Sequence, residues 1–209
     1  MGIRAFVAIE LSERVRRGLA DLLEELKGSG ADAKWVEPKN LHLTVKFLGQ
    51  VGEGDVGRVC GIMDEAVAGA APFRLRIAGA GSFPGGRRPR VVWVGAHGAT
   101  RDLEAIFRRL EEGLAAVGVE PDGRPFVSHV TLGRLRSPRG ADRLAERIAR
   151  SAERDFGEIT VEALTLFQSD LSPKGPTYTP LYHASLGRQP DVGQPPPAAQ
   201  NGGGGHGTI

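Results

Sequence analysis

One short pattern occurs twice in this chain, each time in a stretch that reads as a β-strand. The first copy is His42-Leu43-Thr44-Val45, inside Asn40-Leu41-His42-Leu43-Thr44-Val45-Lys46-Phe47-Leu48-Gly49. The second is His129-Val130-Thr131-Leu132, inside Pro125-Phe126-Val127-Ser128-His129-Val130-Thr131-Leu132-Gly133-Arg134. Side chains alternate across a strand, so each copy offers an apolar face to a core and an imidazole–hydroxyl face to something else. Regular alternation puts His42, Thr44 and Lys46 together, against Leu43, Val45 and Phe47. It likewise groups His129, Thr131 and Gly133 against Ser128, Val130 and Leu132. A fold that uses the pattern twice suggests a duplicated half. If a pseudo-two-fold axis relates the two strands, both imidazoles and both hydroxyls converge on one cleft.

The rest of the chain supplies elements of the same kind. A strand is expected over 4–9, then a helix over 13–27 capped by Ser12, with Val15, Leu19, Leu22, Leu23 and Leu26 on one face and Gly28 and Gly30 as its stop. A short strand at 34–36 and a turn at 38–40 lead into the first motif strand over 41–48. A second helix is expected over 55–67, a half-buried strand over 73–77, and a Gly/Pro-rich loop over 79–89. A strand at 91–94, a helix over 101–117 and the second motif strand over 126–135 follow. The pattern closes with a helix over 142–152, a strand over 159–167, a turn over 169–176 and a strand over 178–186. Several neighbouring strands lack a crossover helix, which is an α+β pattern with antiparallel pairing. Residues 1–187 read as one domain. Residues 188–209 are Gly, Pro, Gln and Ala with scarcely a hydrophobic anchor, and disorder is expected there.

Acid–base chemistry on a phosphate suits the doubled motif. Opening a phosphodiester with water needs a base for the water and an acid for the leaving oxygen, and histidine serves in either role near neutrality. Threonine hydroxyls can donate to the non-bridging oxygens. On residues alone the two histidines are interchangeable. A third, looser match, His183-Ala184-Ser185, is set aside as chance; His97 is expected at the surface and His206 in the tail. The scheme needs no metal or other cofactor. Neither motif strand contains Asp or Glu to complete a metal site, and Gly79-Ala80-Gly81 and Gly85-Gly86 fit no nucleotide-binding loop.

Composition narrows the setting. The formal net charge of +2 does not by itself argue for nucleic acid, although most of the 27 basic residues are arginine, which suits phosphate contacts. Arg134, Lys46 and Phe83 are candidate RNA contacts, with Arg87, Arg88, Arg136 and Arg139 as a basic rim, while Phe126 is expected in the core. The single cysteine, Cys60, leaves no internal disulfide and no Cys-based zinc site, and reads as a small buried apolar residue. No signal-peptide pattern and no membrane-length apolar run is present, so a cytoplasmic monomer without an obligate protein or membrane partner is expected.

The sequence resembles the 2H phosphoesterase superfamily, which is defined by two His-x-Thr/Ser-x motifs. Within it the likeness is to the RNA 2′,3′-cyclic phosphodiesterases, historically described as 2′-5′ RNA ligases. It extends over residues 4 to 187. Besides the motifs it is carried by Arg4-Ala5-Phe6-Val7-Ala8-Ile9, Lys34-Trp35-Val36, Phe83-Pro84, Arg90-Val91-Val92-Trp93-Val94-Gly95, Arg124-Pro125-Phe126, Leu166-Phe167-Gln168-Ser169 and Gly175-Pro176-Thr177-Tyr178. The resemblance implies a bilobal α+β fold, two pseudo-symmetric lobes with antiparallel sheets around a central cleft. It implies His42 as proton donor, His129 as proton acceptor, Thr44 and Thr131 as phosphate ligands, and RNA with a 2′,3′-cyclic phosphate end as substrate. The product would be a 2′-phosphomonoester, with reverse 2′-5′ ligation as a further activity. Two alternatives stand beside it. One is a 2H phosphodiesterase acting on 2′-5′ oligonucleotides or small nucleotide cyclic phosphates. The other is a non-catalytic RNA-end-binding protein, although loss of an imidazole would be its signature and both are present.

Overall fold

The computed structural model describes residues 2–86, 88–123, 125–173 and 175–187; the tail expected from 188, with His206, and Arg87 lie outside the described residues. The strands are β1 (Gly2–Glu10), β2 (Ala33–Trp35), β3 (His42–Gly52), β4 (Phe73–Phe83), β5 (Val91–Gly98), β6 (His129–Leu135), β7 (Asp155–Val161), β8 (Ala163–Ser172) and β9 (Gly175–Ser185). The helices are α1 (Glu13–Lys27), α2 (Val56–Val67), α3 (Thr100–Ala115) and α4 (Ala141–Arg150). Every strand pair is antiparallel, as the α+β pattern requires. The sheet order is β7-β4-β5-β6-β3-β1-β8-β9, with β2 against β6.

The apolar spacing of α1 translates directly into packing. Val15, Leu19, Leu22, Leu23 and Leu26 are all buried, and the Ser12 hydroxyl accepts from the Val15 amide at the helix start. In α3, Leu103, Ile106, Leu110 and Leu114 are buried, while Phe107 stacks on Phe126 at 4.6 Å. Phe126 is therefore bound up with packing, as expected. Cys60 is half-buried in α2 beside the core; burial and the Asp64 carboxylate push its thiol up. Among the described residues no helix is long and apolar enough to cross a membrane.

Three expectations fail for identifiable reasons. The loop predicted from 79 is strand as far as Phe83. Gly79 takes φ +74° where the register slips between Ala78 and Ala80, so this glycine marks a bulge, and β4 continues beside β5. The single strand predicted over 159–167 is two: β7 pairs with β4, and after Glu162 the chain crosses to pair β8 with β1. The turn predicted over 169–176 is the end of the β8–β9 hairpin, paired out to Ser172 and Gly175.

The sheet has two halves that meet at β3 and β6, through the single residue pair Leu43↔Val130. Both of these residues are fully buried. One half is β3-β1-β8-β9, the other β6-β5-β4-β7. The elements are exchanged between them. Helix α1 follows β1 in sequence yet packs on β7 and α4 of the other half, and α3, after β5, packs on α2 and β3. Strand β4, from the first part of the chain, lies beside β5, and β8, from the second part, lies beside β1.

Candidate active site

The contact between β3 and β6 sets the geometry of the motifs. Continuing the antiparallel register from Leu43↔Val130 by one residue in each direction sets His42 across from Thr131 and Thr44 across from His129. With Leu43 and Val130 pointing into the core, all four polar side chains project from the opposite face. Each imidazole faces a hydroxyl, and the two imidazoles lie on a diagonal. In a regular ladder such diagonal positions are about 7–8 Å apart. Because β3 and β6 pair at one residue and then splay, the space opens into a cleft of about 670 Å³.

Both motif strands carry a bulge immediately after the threonine, and this corrects the alternation read from sequence. In β3, Thr44 pairs with Ala8 and Lys46 with Val7, leaving Val45 as the extra residue. In β6, Thr131 pairs with Trp93 and Gly133 with Val92, leaving Leu132 as the extra residue. Lys46 is accordingly turned away from His42 and Thr44, and is 2% exposed. Its ammonium donates to the Glu120 carbonyl at 2.8 Å, contacts the Glu111 carboxylate, and lies 3.4 Å from Asp122. Lys46 is thus a buried ion-pair partner, and the expected RNA contact is not made from this position. Gly133 pairs with buried Val92 beneath the Trp35 ring, where an added Cβ would fall 2.6 Å from the indole. The residues turned outward instead are Phe47, 55% exposed, and Arg134; both line the cleft.

The two imidazoles are held alike. His42 Nδ1 is 2.7 Å from the Asn40 carbonyl and His129 Nδ1 is 2.6 Å from the Val127 carbonyl. A carbonyl can only accept, so each Nδ1 carries the proton and each Nε2 is left to gain or lose one. The Asn40 side chain also donates to the Pro176 carbonyl at 2.9 Å, tying the β8–β9 hairpin to the start of β3.

Their surroundings differ. His42 stacks on Phe6 at 4.8 Å and meets the edge of Tyr178 at 5.4 Å, with Phe167 at 6.4 Å. His129 meets Phe83 edge-on at 5.3 Å and Trp93 at 6.3 Å. Trp93 in turn lies on Gly81, where an added Cβ would fall 2.4 Å from its ring. Phe83 is thus packed against an imidazole and against Trp93, at 5.0 Å. Burial lowers the pKa of both histidines against the opposing pull of their carbonyls, and at His129 the Arg134 charge lowers it further. Burial also raises the Tyr178 pKa, against the fields of Arg4 and Arg134, so its hydroxyl keeps its proton and can donate.

His42, Thr44, Thr131 and Arg134 line the cleft, together with Arg4, Lys34, Trp35, Phe47, Arg136 and Tyr178. His129 is not among the residues lining the cleft; it lies two residues before Thr131 on the same face of β6. The remaining histidines lie elsewhere: His97 is exposed and bonds the Ala78 carbonyl, and His183 sits on β9 against the Thr165 hydroxyl. Among the described residues no three His, Cys, Asp or Glu side chains converge as a metal-binding group. Sequence reasoning missed Phe6, Phe47 and Tyr178 as site residues. Only the bulge exposes Phe47, and only the pairing of β1 and β8 carries an aromatic wall to His42.

A family model described as LigT like phosphoesterase matches the chain twice, over residues 9–93 and 94–178, so that each copy holds one motif. The chain belongs to the LigT-like phosphoesterase family. This phosphoesterase is 38% identical to the RNA 2′,3′-cyclic phosphodiesterase of Methanothermobacter thermautotrophicus over 181 residues, 87% of this chain and 97% of the relative. It is 36% identical to the RNA 2′,3′-cyclic phosphodiesterase of Archaeoglobus fulgidus, over 86% of this chain and 98% of that one. Among solved structures it resembles the TT0787 protein of Thermus thermophilus, with a TM-score of 0.72 and 32% identity over 88% of this chain and 98% of that one. Escherichia coli LigT complexed with 3′-AMP gives a TM-score of 0.72 and 25% identity over 90% of this chain and 100% of that one.

Proposed function

We propose that this phosphoesterase hydrolyses the 2′,3′-cyclic phosphodiester at the end of an RNA to a 2′-phosphomonoester, by acid–base catalysis and without a metal. The observation that carries this reading is the diagonal of two Nδ1-anchored imidazoles facing two hydroxyls across the β3–β6 junction. The phosphodiesterase names of its relatives support the substrate class.

In this scheme Thr44 and Thr131 donate to the non-bridging oxygens, and Arg134 answers their charge. His129 Nε2 takes a proton from water as the water oxygen bonds to phosphorus. The bond from phosphorus to the 3′ oxygen breaks, and His42 Nε2–H delivers its proton to that oxygen. The phosphate stays on the 2′ oxygen, and proton exchange with solvent resets both rings. The Arg134 field supports this assignment, because it favours a neutral base at His129 and is not among the influences on His42. The bound phosphate anion raises both pKa values, which favours the protonated acid at His42, while the Arg134 charge opposes that rise at His129.

The test is a product assay on RNA ending in a 2′,3′-cyclic phosphate, run with excess chelator. The expected product is the 2′-phosphomonoester, at an unchanged rate. A 3′-phosphate product would overturn the regiochemistry, and inhibition by chelator the absence of a metal.

A further inference from the structure

The cleft is charged along one line. On β2 and β6, Lys34 and Arg134 are direct cross-strand partners, both exposed, and Arg136 follows two residues on. All three line the cleft, and Arg4 faces it from β1. Like charges set directly opposite each other on antiparallel strands repel. Among the described residues, no carboxylate forms an ion pair with Arg4, Lys34, Arg134 or Arg136. Glu37, the one acidic residue lining the cleft among the described residues, is already paired with Lys39 at 2.9 Å.

The row is also too long for one phosphate. A strand rises about 3.3 Å per residue, so Arg136 stands on the order of 15 Å along β6 from Thr131, beyond the reach of an arginine side chain back to the reacting group. Phe47 completes the picture on the facing strand. Phe47 and Arg134 occupy equivalent places after equivalent bulges, and one is an exposed aromatic where the other is a cation. An aromatic face on one wall and a line of cations on the other matches a single strand, with bases on one side and backbone on the other.

We infer that the cleft is a strand-binding groove, in which the reacting phosphate lies at Arg134 and nucleotides upstream of it run on past β6 with their phosphates on Lys34 and Arg136. The preferred substrate is therefore an oligonucleotide and not a mononucleotide. The inference rests on the reaction proposed above, and it adds a direction and a length to its substrate.

The experiment compares a mononucleoside 2′,3′-cyclic phosphate with a tetranucleotide ending in the same group, for the wild type and the Lys34→Ala/Arg136→Ala double variant. Neither side chain belongs to the proposed catalytic set. The wild type should prefer the tetranucleotide. With three phosphates neutralised on a single strand (a salt slope of about −0.7 per phosphate), binding of the tetranucleotide should fall about 20-fold between 50 and 200 mM salt. The double variant should turn over the mononucleotide within about twofold of wild type, lose most of the tetranucleotide preference, and show a salt slope reduced by about 1.4. Equal kcat/KM on the two wild-type substrates, or a variant that keeps the preference, would overturn the groove while leaving the reaction standing. If neither substrate is turned over, the reaction fails and the groove is still decided. Fluorescence anisotropy with a tetranucleotide 2′-phosphate must then show the same length and salt dependence, and a flat result overturns it.

Discussion

The two motif strands share a backbone and differ in what surrounds it. Both β3 and β6 place His and Thr two apart, anchor the imidazole on the carbonyl two residues back, and bulge directly after the threonine. Around His42 that backbone meets Phe6, Phe167 and Tyr178, an aromatic enclosure. Around His129 it meets Phe83 and Trp93, with the Arg134 charge nearby. Duplication can supply two equal imidazoles, but a hydrolytic step needs an acid and a base. The inequality comes from side chains outside the motif, and the repeated letters do not contain it.

Removing each imidazole in turn breaks the comparison most severely. His42→Ala and His129→Ala should each lower kcat/KM by about 10²- to 10⁴-fold. Their residual pH profiles should differ. The His129 variant should lose the acidic limb, because no base remains to be protonated, and the His42 variant the alkaline limb, because no acid remains to lose its proton. Identical residual profiles would refute the unequal roles.

Next in size is Lys46, whose counterpart on β6 is Gly133. Lys46→Met strands the Glu111 carboxylate, and losing one member of a buried pair costs about 3–5 kcal/mol. Chemical denaturation should register that loss, and adding Glu111→Leu should restore most of it. Stability unchanged in the single variant would mean that the buried cation does not hold β3 to α3. The smallest expected effect is a displacement on the pH axis. Arg134 lowers the His129 pKa, so Arg134→Gln should raise it and shift the acidic limb of kcat/KM to higher pH. An unmoved limb would place the source of the inequality elsewhere.

Much of the site was readable beforehand because it depends on local pattern. The helix faces, the Ser12 cap, both histidines and both threonines follow from spacing within one element. The directions of Lys46, Phe47 and Gly133 were not readable, and Arg134, expected at the cleft and found lining it, is turned there by a bulge that the sequence does not show. Their direction depends on bulges, and those are defined by pairing with β1 and β5, strands distant in sequence. A rule of strict alternation misplaces every side chain after the extra residue. The break at Glu162 was hidden for a related reason. The residues on both sides favour strand, and only the topology sends them to different partners.

The exchange of β4 and β8 between the halves of the sheet bears on how such a molecule can be divided. Cut between β4 and β5, the fragments keep β1 with β3, β5 with β6 and β8 with β9, but β4 loses both of its neighbours, β5 and β7, and β1 loses β8. A fragment could complete itself only by trading strands with a second copy, which is the arrangement of a swapped dimer. The segment joining β4 to β5 then plays the part of a tether, fusing two such subunits into one polypeptide. In one polypeptide the two motif strands need not share the same neighbours, and here they do not: aromatic rings enclose His42, and the Arg134 charge stands near His129.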